Sequence, residues 1–97
     1  MFTTIIVTFP MENEKINEKI SVITVFNQET GLVMPKKIHW RNRDYLIKSL
    51  AYYHRVHQGK KIIHVFNVTD GNLDFRLSLD GENLHWTLEE IYDRSND

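Results

Sequence analysis

The sequence predicts a mainly β fold: a small antiparallel barrel of about five strands, with a short N-terminal helix or loop. Three observations carry this expectation. From Pro35 to Leu88 the chain alternates apolar and polar residues in short runs, the period of strands with one buried face. Turn residues punctuate these runs: Asn42, Gly59, Asp70-Gly71-Asn72 and Asp80-Gly81. One run, Asp44 to about Val56, is long and apolar on both faces, as a strand is when it bends to serve two sheet faces. Closing such a meander removes edges that would otherwise aggregate.

The elements follow in order. Residues 1–10 (MFTTIIVTFP) form a strand-like extension ended by Pro10, and Met11 offers an alternative start. Phe2, Ile5, Val7 and Phe9 make this segment apolar enough to need covering, which points to self-association with a second copy. Glu12 to Ile20 is polar, and Ile16 and Ile20 stand one helical turn apart, so a short helix is expected there. Ser21 to Asn27 has Val22, Thr24 and Phe26 on one side and Ile23 and Val25 on the other, a strand covered on both faces. Gln28 to Gly31 is a turn, and Pro35 marks a strand start or an edge.

Lys36 to Arg41 alternates strictly, with Ile38 and Trp40 inward and Lys37, His39 and Arg41 outward. Asn42-Arg43 is the expected hairpin turn. In the long return strand, Tyr45, Ile47 and Ala51 are placed on one face, and Leu46, Leu50 and Tyr52 on the other. His57 to Gly59 turns the chain into Lys61–Thr69. Leu73, Phe75, Leu77 and Leu79 then give the cleanest amphipathic strand, and Leu84, Trp86 and Leu88 complete the set. The domain is placed at residues 11–92. Glu89 to Asp97 is read as an acidic, mobile tail, of which residues 93–97 lie outside the domain.

At 97 residues the chain holds one modest core and has little room for a deep enzyme cleft. It contains no cysteine, which fits a reducing cytoplasm. Its apolar run near the start is too short to span a membrane. The formal net charge of −1 names no partner, but the distribution is uneven.

Val25-Phe26, Gly31, Pro35, Ile38, Trp40 and Tyr45-Leu46-Ile47, followed by Phe75-Arg76-Leu77 and Trp86-Thr87-Leu88, resemble a pattern in small bacterial proteins of unknown function. In those proteins a strand, a Gly turn and a Pro precede a W-x4-Y hairpin. The resemblance covers about Ser21 to Leu88, and its motifs are mostly core positions, so it implies a shared fold. By architectural analogy the barrel is of the SH3/Sm type. The resemblance implies no catalytic residue.

The candidate site is the basic middle of the chain. Lys37, His39, Arg41, Arg43, Lys48, Arg55, Lys60 and Lys61 interleave with Trp40, Tyr45, Tyr52 and Tyr53. Cations that follow a phosphate backbone and aromatics that stack bases are what RNA or single-stranded DNA requires. The plain alternative is a solvated face over core aromatics. From Asp70 onward the chain is acidic, so opposite charges pair either between copies or within one. His54, His57 and His64 invite a zinc reading, but no cysteine joins them and no metal site is assigned. No nucleophile elbow or Gly-rich phosphate loop is present, so neither catalytic residues nor a cofactor are expected. The expected function is a non-catalytic binding or assembly module: it binds single-stranded nucleic acid through the basic hairpin, or self-associates as a homo-oligomer with no nucleic-acid role.

Overall fold

The computed structural model describes residues 13–93. Seven strands follow one another: β1 (Asn13–Asn27), β2 (Leu32–Trp40), β3 (Arg43–Leu46), β4 (Ser49–Gln58), β5 (Lys61–Thr69), β6 (Leu73–Asp80) and β7 (Trp86–Asp93). They form one antiparallel sheet in the order β3-β2-β1-β7-β6-β5-β4, with no helix among the described residues. The mainly β expectation is met.

Its finer parts need correction. The predicted helix over Glu12–Ile20 is strand from Asn13 onward. Ile16 and Ile20 are four residues apart, a spacing that fits two strand repeats as well as one helical turn. Pairing with β7 settles it: Glu18, Lys19 and Ile20 lie opposite Leu88, Thr87 and Trp86. A register shift between Lys15 and Glu18 accommodates Asn17 at φ 52°. At the other end, Glu89–Asp93 belongs to β7 rather than to a tail, because this stretch pairs with both β6 and β1.

The sheet is not closed by pairing. Its edge strands β3 and β4 are consecutive in the chain, joined by Ile47-Lys48. There the two edges converge: the Ile47 N–H donates to the Lys36 carbonyl of β2 at 2.9 Å, and the Lys48 N–H to the Thr69 carbonyl of β5 at 2.8 Å. The long return strand does bend, and the bend resets its faces. Tyr45, Ile47, Leu50 and Tyr53 all pack on the core, whereas Leu46, Ala51 and Tyr52 are exposed. A register shift between Leu50 and Tyr52 makes the second reset. Leu50 therefore lies on the core face rather than the one alternation assigns it, because the break at Ile47-Lys48 shifts the phase before β4 begins.

The core lies on the face towards which the sheet curls. Ile38, Phe66, Val68, Phe75, Leu77, Leu79 and Leu88 are buried there, each side chain contributing about 1.5–3 kcal/mol. Tyr45 of β3 meets Phe75 of β6 edge-to-face, with ring centroids 5.3 Å apart, although three strands stand between β3 and β6 in the sheet order. Pro35 stands inside β2, buried, where the register shifts opposite Ile23-Thr24. A bulge tolerates a residue without an N–H, so Pro35 does not start the strand. The β2–β3 turn is Arg41-Asn42, one residue earlier than predicted; both have positive φ, as a two-residue type I′ hairpin demands. Leu84 lies outside β7, exposed at φ 64°.

Candidate functional site

The eight predicted nucleic-acid residues are spread from β2 to β5. Lys37 and His39 of β2, Arg41 in the turn and Arg43 of β3 share one hairpin. Lys48 lies in the connection between the sheet edges, with its side chain against Gly71. Arg55 lies on β4, Lys60 in the β4–β5 turn, and Lys61 starts β5. The two basic turns thus stand at opposite ends of the β3–β4 run.

Much of the positive charge is already answered within the chain. The Asp44 carboxylate accepts from His39 Nδ1 at 2.6 Å and lies 3.6 Å from Lys37 Nζ. The His39 contact, with Lys37 adding to it, holds Asp44 below the usual carboxylate range. Glu18 accepts from Arg41 Nη2 at 2.6 Å and from Trp40 Nε1 at 2.9 Å. These two bonds, Arg41 first, lower the Glu18 pKa, and the same contact raises that of Arg41. Lys61 pairs with Asp80 at 3.1 Å. Four of the eight candidates therefore carry an acidic partner.

The aromatics divide similarly. Trp40, Tyr45 and Tyr53 pack against the core, and Tyr52 is exposed. What the β2–β3 tip does present is two cation–ring stacks. The Arg41 guanidinium lies 4.5 Å from the Trp40 ring centroid, and that of Arg43 lies 5.4 Å from Tyr45. The histidines disperse. His64 takes a 2.7 Å hydrogen bond with the Tyr53 hydroxyl on the core face, and His54 sits on the opposite face. Among the described residues no group of three or more His, Asp or Glu is placed to hold a metal ion.

A second surface was not singled out from the sequence as a site. β7 covers β1 only as far as Ile20. From Ser21 to Asn27, β1 has β2 on one side and, among the described residues, an open edge on the other. Ile23 is 56% exposed, Val25 50% and Phe26 63%. The expectation that this strand is covered on both faces fails, because β7 begins at Trp86 and nothing described lies beyond. Leu84, 67% exposed, stands beside Ser21 and Val22 where the open edge begins. Ser21 to Gln28 contains no charged residue and no proline, the devices that usually protect an edge. That neutrality, joined to β-branched residues on both faces, was the legible signal.

The self-association residues Phe2, Ile5, Val7 and Phe9, and the tail beyond Asp93, lie outside the described residues. No helix among the described residues is long and apolar enough to cross a membrane. No family model, curated protein or solved structure matches the chain.

Proposed function

We propose that this protein is a non-catalytic binding module that works by strand addition at the open edge of β1. The observation that carries this reading is the uncovered Ser21–Asn27 stretch, with Ile23, Val25 and Phe26 exposed. An added strand satisfies the outward-facing N–H and C=O groups and covers side chains on both faces, as in other edge-recognition modules. Lack of cysteine supports a reducing cytoplasm as its setting. The converging edges at Ile47-Lys48 support a small-barrel ancestry for the curled sheet. The test is amide hydrogen exchange on the full chain and on Val25→Lys. Slow exchange of the amides of Ser21–Asn27 that point away from β2, abolished by the lysine with the rest of the sheet unchanged, supports strand addition. Fast exchange of those amides under every condition, added cell extract included, refutes it.

A second reading, binding of RNA or single-stranded DNA at the β2–β3 tip, is favoured by the stacks of Arg41 on Trp40 and Arg43 on Tyr45. Stacked guanidinium planes offer a base a π-surface and a phosphate a charge. Anisotropy of a labelled oligonucleotide tests it. Arg41→Ala with Arg43→Ala should weaken binding and flatten the log–log salt slope by about 0.7 per lost contact. No retention at low salt removes this reading.

A further inference from the structure

We infer that the strand added to β1 is β1 of a second copy, paired antiparallel about a two-fold axis through Thr24. This rests on the strand-addition reading above and names its partner.

Two features choose the second copy. The first is neutrality. Ser21 to Gln28 carries no charge, so two copies meet there without repulsion. The other edge strands present charge to an incoming neighbour: Arg43 and Asp44 on β3, and His54, Arg55 and His57 on β4.

The second is register. A two-fold axis perpendicular to the sheet keeps each side chain on its own face, so the axis must pass through a residue rather than between two. Thr24 is the middle of Ser21–Asn27 and gives the greatest overlap. In that register Ile23 of each copy lies opposite Val25 of the other on the outer face. Val22 lies opposite Phe26 on the face that carries the core. The three most exposed apolar side chains of β1 then each gain an apolar cross-strand neighbour, the unit from which sheets draw stability.

The partner strand stops at Asn27, opposite Ser21, because the edge of β1 before Ser21 is held by Trp86 and Thr87 of β7. The β1–β2 turn of each copy thereby arrives beside Leu84 of the other, next to the shallow hollow lined by Ile20, Val22, Leu84 and Trp86. The pairing is isologous, so it stops at a dimer and consumes both open edges.

The test uses the full chain in sedimentation velocity at about 1–100 µM, the range appropriate to a small interface. A reversible dimer is expected for the native protein, and Val25→Lys should weaken it at least tenfold. The chain has no cysteine, so Thr24→Cys reports the axis directly. On mild oxidation it should give a covalent dimer, whereas Asn72→Cys in the β5–β6 turn should not. A native monomer at every concentration overturns the inference while leaving strand addition to a different protein intact. A dimer that Val25→Lys does not affect is built elsewhere and likewise overturns the inference alone. A dimer sensitive to Val25→Lys but showing no Thr24 cross-linking overturns the two-fold register alone. A monomer in which Phe2→Cys and Thr24→Cys cross-link within one chain shows that the N-terminal segment takes the edge, and overturns the second copy.

Discussion

Tyr45 and Phe75 provide the sharpest test of how far the sheet curls. They sit on β3 and β6 and meet only because the edge carrying β3 bends over the core. The perturbation is a double-mutant cycle with Tyr45→Leu and Phe75→Leu, which replaces each ring by a smaller apolar side chain. Phe75 is buried, so losing its ring should cost about 1–2 kcal/mol in apolar transfer and residual cavity. Tyr45 is half-buried and should cost less. The quantity of interest is the coupling. An edge-to-face pair at 5.3 Å should contribute about 0.5–1.5 kcal/mol beyond area burial. The assay is urea unfolding of the four proteins with a common m-value, checked by thermal melts. For a domain of this size a coupling near 1 kcal/mol corresponds to about 4–8 °C. Additive single mutants, all folded, would refute the contact, and with it the convergence of the two sheet edges.

Three further outcomes are expected. Leu77→Ala removes a fully buried side chain at the centre of the core and should cost about 3–5 kcal/mol in urea unfolding, enough to leave the domain marginal. Gly81→Ala should destabilise by about 1–3 kcal/mol, because a Cβ there would stand 2.6 Å from the Ile62 carbonyl oxygen, which accepts the Gly81 N–H. Asp80 accepts from the Glu82 and Asn83 N–H groups and from Lys61, and these contacts, the Glu82 N–H first, hold its carboxyl below its ordinary value of 3.8. Because the folded value is depressed, this stabilisation is complete above the unfolded value and fades as pH falls through the folded one. Asp80→Asn should therefore lower the urea midpoint at neutral pH and flatten its decline below pH 3.8, as a series of unfolding curves would show.

Period-two alternation made the central strands legible. β5 and β6 were placed within their observed bounds because Phe75, Leu77 and Leu79 repeat cleanly and Asp70-Gly71-Asn72 can only turn. Where the pattern failed, a local irregularity or a distant partner was responsible. Ile16 and Ile20 satisfied two periodicities at once, and only β7, far along the chain, chose between them. Leu50 and Ala51 changed faces at the Ile47-Lys48 break between β3 and β4, which leaves no trace in hydrophobicity. The basic hairpin was legible as a count of cations. Its neutralisation was not, because Glu18 reaches Arg41 and Trp40 from a strand then read as a helix. The open edge of β1 was visible as composition but not as an edge, since exposure depends on where β7 begins.

The ladder between β1 and β7 also sets the order in which the chain assembles. Every other ladder joins strands adjacent in sequence and can zip outward from its own turn. The β1–β7 ladder joins Asn13–Ile20 to Trp86–Tyr92 and must wait until nearly the whole chain has been gathered in. Each doubling of such a loop adds only about 0.6 kcal/mol of closure entropy, so the delay is one of sequence rather than of forbidding cost. Contacts made after the rate-limiting step govern escape from the native state rather than arrival. Weakening Ile20 against Trp86 should thus leave the refolding rate nearly unchanged and quicken unfolding. Its first opening would release β1 from β7 and lengthen the exposed edge towards the start of the chain.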